Sequence, residues 1–167
     1  MYQTVKGTYD LLPEELQNFE DLQDSFRIML DLYGYKLMKT PVFEYAGVFR
    51  KDNDTSDMVT KEMYTFSPND KDLYTLRPEG TAGIVRSVIQ NKLYMDTPVK
   101  LAYIEEMFRH ERPQKGRQRQ FTQMGIENIG EKSPLVDAET IALGYNYIML
   151  VGLSDVEVLF NKWGYSV

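Results

Sequence analysis

The sequence predicts an α+β domain, an antiparallel sheet flanked by helices. Three observations carry that expectation. A long stretch at 13–33 has helical periodicity, and two further helical stretches lie between strand-like runs. Short alternating runs joined by turn-rich segments complete the pattern. With 167 residues, 43% of them hydrophobic and 13% aromatic, the chain suits one domain or a piece of a larger one. It has enough apolar side chains for a sizeable core.

The first helix is expected from Pro13 to Tyr33. Leu16, Phe19, Leu22, Phe26, Met29, Leu30 and Tyr33 recur at steps of three and four, which is one helical face. Pro13 suits the first helical position and Gly34 a left-handed cap. KLMKTPVFEY (36–45) reads as extended, since Pro41 drives Thr40 towards β geometry. Residues 46–62 are polar and turn-rich. MYTF (63–66) and LYTL (73–76), separated by SPNDKD, read as a hairpin. A second helix is expected from Pro78–Glu79 to Leu93 or Tyr94, with Val85, Val88, Ile89 and Leu93 as its buried stripe. VKLAYIEEMF (99–108) and RQFTQMGIE (119–127) read as an antiparallel pair with a long connection. Ser133 and Pro134 open a third helix that ends at Gly152. VEVLF (156–160) reads as a last short strand.

Composition excludes several functions. Without cysteine there is no disulfide and no thiolate metal site, which fits a reducing, cytoplasmic setting. MYQTVKGTYD lacks the apolar and basic parts of a signal peptide. The longest apolar run, near 135–151, carries Asp137 and Glu139 and is too short and polar to span a bilayer. No metal site is expected at His110, the lone histidine. A net charge of −6 disfavours diffuse binding to nucleic acid or anionic membrane.

Against that background one segment stands out. Residues 109–119 hold Arg109, Arg112, Lys115, Arg117 and Arg119 against the single acid Glu111, a local charge of +4, which leaves −10 for the rest of the chain. Several arginines around Gly116 suit a polyphosphate, because guanidinium forks bind phosphate oxygens in pairs. In the strand that follows, period two places Arg119, Phe121, Gln123, Gly125 and Glu127 on one face. Gln120, Thr122, Met124 and Ile126 then face the core. A glycine between Gln123 and Glu127 is expected to leave a hollow on the sheet, and Phe121 is positioned to stack on a nucleobase. Upstream, LRPEGTA (76–82) puts Glu79 and Thr81 at a helix start. Each feature also has a plainer reading. The strand face suits the solvated side of an amphipathic strand, Glu79 complements a helix dipole, and Thr81 is a local cap. Taken together with Arg109, Glu79, Thr81, Gln123 and Glu127 suit a small zwitterion. A zwitterion beside a nucleotide points to carboxylate activation. An already ionised carboxylate attacks an α-phosphate in line, so positioning and charge neutralisation by arginine and Mg²⁺ suffice.

FRHERPQKGR (108–117) followed by RQFTQMGIE (119–127) resembles the motif 2 strand–loop–strand of class II aminoacyl-tRNA synthetases in their histidyl form. KGTYDLLPEE (6–15), KTPVFE (39–44), DMVTKEMYTF (57–66), TLRPEGTA (75–82) and VDAETIAL (136–143) match the same family in the same order. The resemblance implies the class II catalytic sheet, with motif 1 at about 13–45 and motif 2 at about 99–127. It also implies a homodimer built on motif 1. For the sites it implies that Arg109, the catalytic residue, bridges the ATP α-phosphate and the histidine carboxylate. Glu111 lies at the adenine, Arg117 at the terminal phosphates, and Phe121 stacks on adenine. Glu79, Thr81 and Gln123 hold the α-amino group of histidine, and Glu127 meets its imidazole. ATP, Mg²⁺, L-histidine and tRNA(His) are the implied cofactors and partners.

The chain departs from that pattern in places. Glu105-Glu106 stand where the family usually has Gly-Pro, Gln118 replaces a usual tyrosine, and FRKDNDTSD lacks the usual glycines. Motif 3 and the anticodon-binding domain have no counterpart in these residues, and FNKWGYSV (160–167) matches poorly. The expectation is the first half of a catalytic domain, inactive or weak by itself. The alternatives are a histidine-sensing paralogue resembling the regulatory subunit of ATP phosphoribosyltransferase, which keeps the amino-acid pocket and tends to lose the ATP loop, and a dimerising scaffold. Intact loop arginines favour the synthetase.

Overall fold

The computed structural model describes residues 2–50, 62–112 and 114–159. Helix α1 spans Pro13–Tyr33 as expected. Glu15 reaches back to accept the Leu12 amide (3.3 Å), and Gly34, at φ 74°, closes the other end. There Gly34 N–H donates to the Asp31 carbonyl (3.3 Å) and Tyr35 N–H to the Leu30 carbonyl (2.9 Å), the paired bonds of a glycine-terminated helix. Only the C-terminal half of the anticipated face is buried, at Phe26, Met29 and Leu30, whereas Leu16 and Leu22 are exposed.

After α1 come β1 (Lys36–Leu37), β2 (Phe43–Tyr45), β3 (Thr65–Phe66) and β4 (Tyr74–Leu76), then helix α2 (Thr81–Gln90). Strands β5 (Val99–Phe108) and β6 (Gln120–Ile129) and helix α3 (Pro134–Leu150) follow. They form two three-stranded sheets, ordered β1-β5-β6 and β2-β4-β3. The predicted hairpin is present as β3 against β4, Thr65 opposite Thr75. β5 and β6 pair antiparallel through ten registered residues, from Val99↔Ile129 to Phe108↔Gln120. The short β1 adds to β5 in parallel, a pairing the sequence does not announce.

Each face of the β5–β6 pair has its own core. On one side Ala102 packs with Phe26, Leu30, Tyr35 and Leu143, joined by Met124, Ile126 and Tyr147. On the other Leu101, Tyr103 and Met107 pack under Ile84 and Val88 of α2, with Phe121 alongside. Lys100 fastens the first layer, donating to the Tyr33 carbonyl (3.2 Å) and pairing with Glu139. α3 starts as expected, with the Ser133 hydroxyl accepting the Leu135 amide (3.2 Å) and Pro134 in the first turn. It ends at Leu150, and Gly152 at φ 95° forms the turn after it.

Three expectations are corrected. α2 begins at Thr81, because Pro78, Glu79 and Gly80 form the bend that leads into it. Its buried residues are Gly83, Ile84, Ser87 and Val88 rather than Val85, Val88, Ile89 and Leu93. Val85 and Ile89 are exposed and Leu93 half-buried in the turn beyond the helix. Two apolar stripes were available, and the buried one carries Gly83, which packs closely on Thr40; a Cβ there would sit 3.3 Å from the Thr40 hydroxyl oxygen. Residues 156–159 form no strand, and neither sheet among the described residues includes them. Residues 51–61 (all of KDNDTSD and most of DMVTKE) and 160–167, which include the last residue of the expected strand, lie outside the described residues.

The corrected stripe makes a direct prediction. Ile84 is fully buried and Ile89 is 62% exposed. Ile84→Ala is expected to cost about 2–5 kcal/mol in urea unfolding, and Ile89→Ala less than about 0.5 kcal/mol. The reverse order would restore the stripe read from periodicity.

Candidate functional site

Strand alternation and the β5–β6 register place Phe121, Gln123, Gly125 and Glu127 on the α2 side of the sheet, opposite Met107, Glu105, Tyr103 and Leu101. The bend 77–80 lies above them because Phe108 N–H donates to the Arg77 carbonyl (2.9 Å). Glu79 is thereby brought to the start of α2, where its carboxylate accepts the Thr81 (2.6 Å) and Ala82 (2.8 Å) amides. It therefore performs the plain capping role as well, since each carboxylate oxygen has a further lone pair.

The hollow expected at Gly125 is filled from within the protein, which is a further correction. The ring of Tyr103 lies where a Cβ on Gly125 would be, 2.3 Å from the Tyr103 Cζ, and a Cβ on Gly80 would meet the same atom at 2.3 Å. Both glycines are needed for one aromatic ring to lie between the bend and the strand. The Tyr103 hydroxyl then reaches Thr81 and the charge of Glu127; burial first, and that charge second, push its pKa up to about 12. Sequence reasoning missed Tyr103. Its only signal was a large aromatic opposite a glycine in the strand pair.

Glu127 is half-buried, and burial raises its pKa above the ordinary carboxylate range. The Thr81 hydroxyl offsets part of that rise, while the charge of Glu79 adds to it. Between Glu127 and Phe121, Gln123 has a buried Oε1 that no group among the described residues satisfies. A buried acceptor without a donor is costly, and an ammonium, with three N–H donors and no acceptor, is a fitting complement.

Arg109 borders this group. Its Nε donates to the Pro78 carbonyl (2.8 Å), and its guanidinium carbon lies 5.1 Å from the centre of the Phe121 ring. Glu111 sits between two cations, 3.8 Å from Arg109 and 3.4 Å from Arg117. The loop itself is a tight turn. Arg117 N–H donates to the Gln114 carbonyl (2.9 Å), Gln114 N–H returns to Arg117 (3.2 Å), and Gly116 adopts φ 80°. Arg119 is held inward, its Nε donating to the Glu111 carbonyl (3.2 Å) and its amide to the Gly7 carbonyl (2.7 Å). Arg112, Lys115 and Arg117 are exposed. His110 packs edge-on against Tyr64 (5.2 Å between ring centres). The structure thus gathers Glu79, Thr81 and Glu127 around Tyr103, with Gln123 on the same strand face, and Arg109 beside both Phe121 and Glu111, which also meets Arg117.

The raised pKa of Glu127 has a signed consequence for stability. Its folded-state value exceeds its unfolded one, so the ionised side chain costs stability at neutral pH. That cost disappears below about pH 4, where the unfolded carboxyl is protonated too. Glu127→Gln is therefore expected to melt above the parent at pH 7, with the gap closing as the pH falls to about 4. Identical melting temperatures across that range would mean that burial does not strain this carboxylate.

The comparisons with known proteins agree with the sequence motifs. The family model for histidyl-tRNA synthetase matches residues 7–165. The histidine–tRNA ligase of Clostridioides difficile (strain 630) is 48% identical over 164 residues, covering 97% of this chain and 39% of that relative. That of Listeria monocytogenes (strain EGD-e) is 44% identical over 165 residues, with coverages of 97% and 39%. Apo histidyl-tRNA synthetase from S. aureus superimposes with a TM-score of 0.78 at 36% identity, covering 92% of this chain and 36% of that one. A Bacillus halodurans protein described as an ATP phosphoribosyltransferase regulatory subunit/histidyl-tRNA synthetase gives 0.79 at 29% identity, with coverages of 92% and 39%. The chain spans about two fifths of the length of the curated relatives it matches. It belongs to the histidyl-tRNA synthetase family.

Proposed function

We propose that this chain supplies the amino-acid and nucleotide pockets of a histidine–tRNA ligase, the part that binds L-histidine and ATP for formation of histidyl-adenylate. The observation that carries the reading is the buried Gln123 Oε1, which no group among the described residues satisfies, on the same strand face as Glu127, which Thr81 and Glu79 approach; together they offer acceptors suited to a cation with several N–H donors. In this reading Gln123, Glu79 and Thr81 hold the α-amino group. Glu127, half-buried beside Tyr103, accepts an imidazole N–H.

Arg109 stands at the boundary between the two pockets. It orients the histidine carboxylate towards the α-phosphate, so that a carboxylate oxygen bonds to phosphorus and pyrophosphate departs. The carboxylate is already ionised, so no general base is required, and the work is alignment and charge neutralisation. Phe121 offers its ring to the adenine, Glu111 lies at the base, and Arg117 meets the terminal phosphates. Magnesium, when bound with the nucleotide, neutralises phosphate charge. In the complete ligase the adenylate passes to tRNA(His) in the cytoplasm. Exposed Ile28 and Leu32 on α1 support a homodimer through motif 1.

The Bacillus halodurans protein, whose description includes a regulatory subunit, supports a second reading, a histidine sensor without nucleotide chemistry. Nucleotide binding separates the two. In calorimetric titration with ATP and Mg²⁺ in the presence of histidine, the parent chain is expected to bind and Arg109→Ala to lose at least tenfold in affinity. Histidine binding without ATP binding would favour the sensor, and binding of neither would refute both. Glu127→Ala is expected to weaken histidine binding by about 1–3 kcal/mol, the cost of leaving a polar contact unpaired.

A further inference from the structure

Arg77 and Glu105 form a buried ion pair that the site as described does not use. Their side chains are 7% and 3% exposed, with Nη1 2.8 Å from the Glu105 Oε1. Each has further partners. Glu105 accepts the Thr40 amide at 2.9 Å on Oε1 and the Thr40 hydroxyl at 3.0 Å on Oε2. The Arg77 Nε donates to the Glu106 carbonyl (2.7 Å), and Nη1 to the Thr40 carbonyl (2.8 Å). A buried pair so completely satisfied is the favourable case for an otherwise expensive arrangement.

The position of the pair gives it a consequence. Arg77 is the last residue before the bend 78–80. Its amide donates to the Val42 carbonyl (3.0 Å), and its own carbonyl accepts from Phe108. It therefore ties β2 of the small sheet to β5 of the large one. The next carbonyl, that of Pro78, receives the Arg109 Nε, and the next side chain, Glu79, caps α2. On the sheet, Glu105 pairs directly across from Gln123. The pair thus touches both segments that carry the proposed ammonium contacts.

We propose that Arg77 and Glu105 are positioning residues. Their ion pair, with Thr40, locks the bend 78–81 onto β5 at the one spacing that brings Glu79 and Thr81 to face Gln123 and Glu127. The proposal rests on the histidine pocket assigned above for its ligand, but its geometry stands apart from it. Neutralising one partner leaves the other buried and charged without its mate, and the bend loses its anchor while the cationic loop 112–118 keeps its own turn.

The test compares the parent chain with Glu105→Gln, Arg77→Gln, the double variant, and Arg77→Lys as the conservative replacement. Each is measured at a temperature well below its own melting point. Calorimetry with L-histidine is expected to show at least fivefold weaker binding for either single variant, with no further loss in the double variant and partial retention in Arg77→Lys. ATP affinity is expected to fall less than histidine affinity, because of the proposed ATP contacts only Arg109 is tied to the bend, through the Pro78 carbonyl. Amide exchange in folded Glu105→Gln is expected to accelerate at Thr40, Phe108, Thr81 and Ala82, while the amide of Arg117 in the loop turn stays as protected as in the parent. Parent-like histidine affinity in the folded single variants, or equal losses for histidine and ATP, would overturn the proposal. If the parent itself does not bind histidine, the pocket reading fails and exchange alone decides. Unchanged protection at Thr81 and Ala82 would then reject the positioning role.

Discussion

The register of β5 against β6 is the constraint on which the rest of the structure depends. Side chains alternate across a strand, so a slip of one residue would send Gln123 and Glu127 to the α1 side and Met124 and Ile126 into the candidate pocket. Tyr103 blocks that slip by shape. Its ring occupies the space over Gly125 to within 2.3 Å of a hypothetical Cβ, so only a residue without a side chain can stand opposite it. Two apolar clusters, one on each face, hold the same register by burial. Register, pocket and core are one decision rather than three.

The same alignment concentrates opposite charges on neighbouring ground. Carboxylates from Glu79 and Glu127 converge near Tyr103, and the cost appears as the raised pKa of Glu127, which burial causes and Glu79 aggravates. A few residues away the cations of the loop gather around a turn closed by Gly116. Their only close acid in the loop is Glu111, at 3.4 and 3.8 Å from two arginines, contacts that are weak at an exposed surface. Half-buried negative charge beside exposed positive charge suits the ligand pair proposed above, an ammonium beside phosphates.

Much of the local structure was legible in the chain. α1 follows from its apolar period with Pro13 and Gly34 at its ends, and α3 from Ser133 and Pro134 at its start and Gly152 after it, each a local rule about one helix end. The hairpin of β3 and β4 and the long strands β5 and β6 follow from alternation and turn chemistry. So does the grouping of Phe121, Gln123 and Glu127 on one face. The buried stripe of α2 was not legible, because Val85/Ile89 and Ile84/Val88 have the same period; only packing against Leu101, Tyr103 and Met107 of the sheet tells them apart. The strand expected at 156–160 failed over 156–159 because alternation specifies a face and not a partner.

The sequence by itself determined the helices with caps, the long strands, the cationic loop and the family motifs, since each depends on residues within a few positions of one another. Only the tertiary structure decided that Tyr103 fills the space between Gly80 and Gly125, that Arg77 and Glu105 close on Thr40, and that no group among the described residues satisfies the buried Gln123 acceptor. The first two facts join residues between 22 and 65 positions apart. Burial, ion pairing and steric exclusion act on distance in space, which the order of residues along the chain does not record.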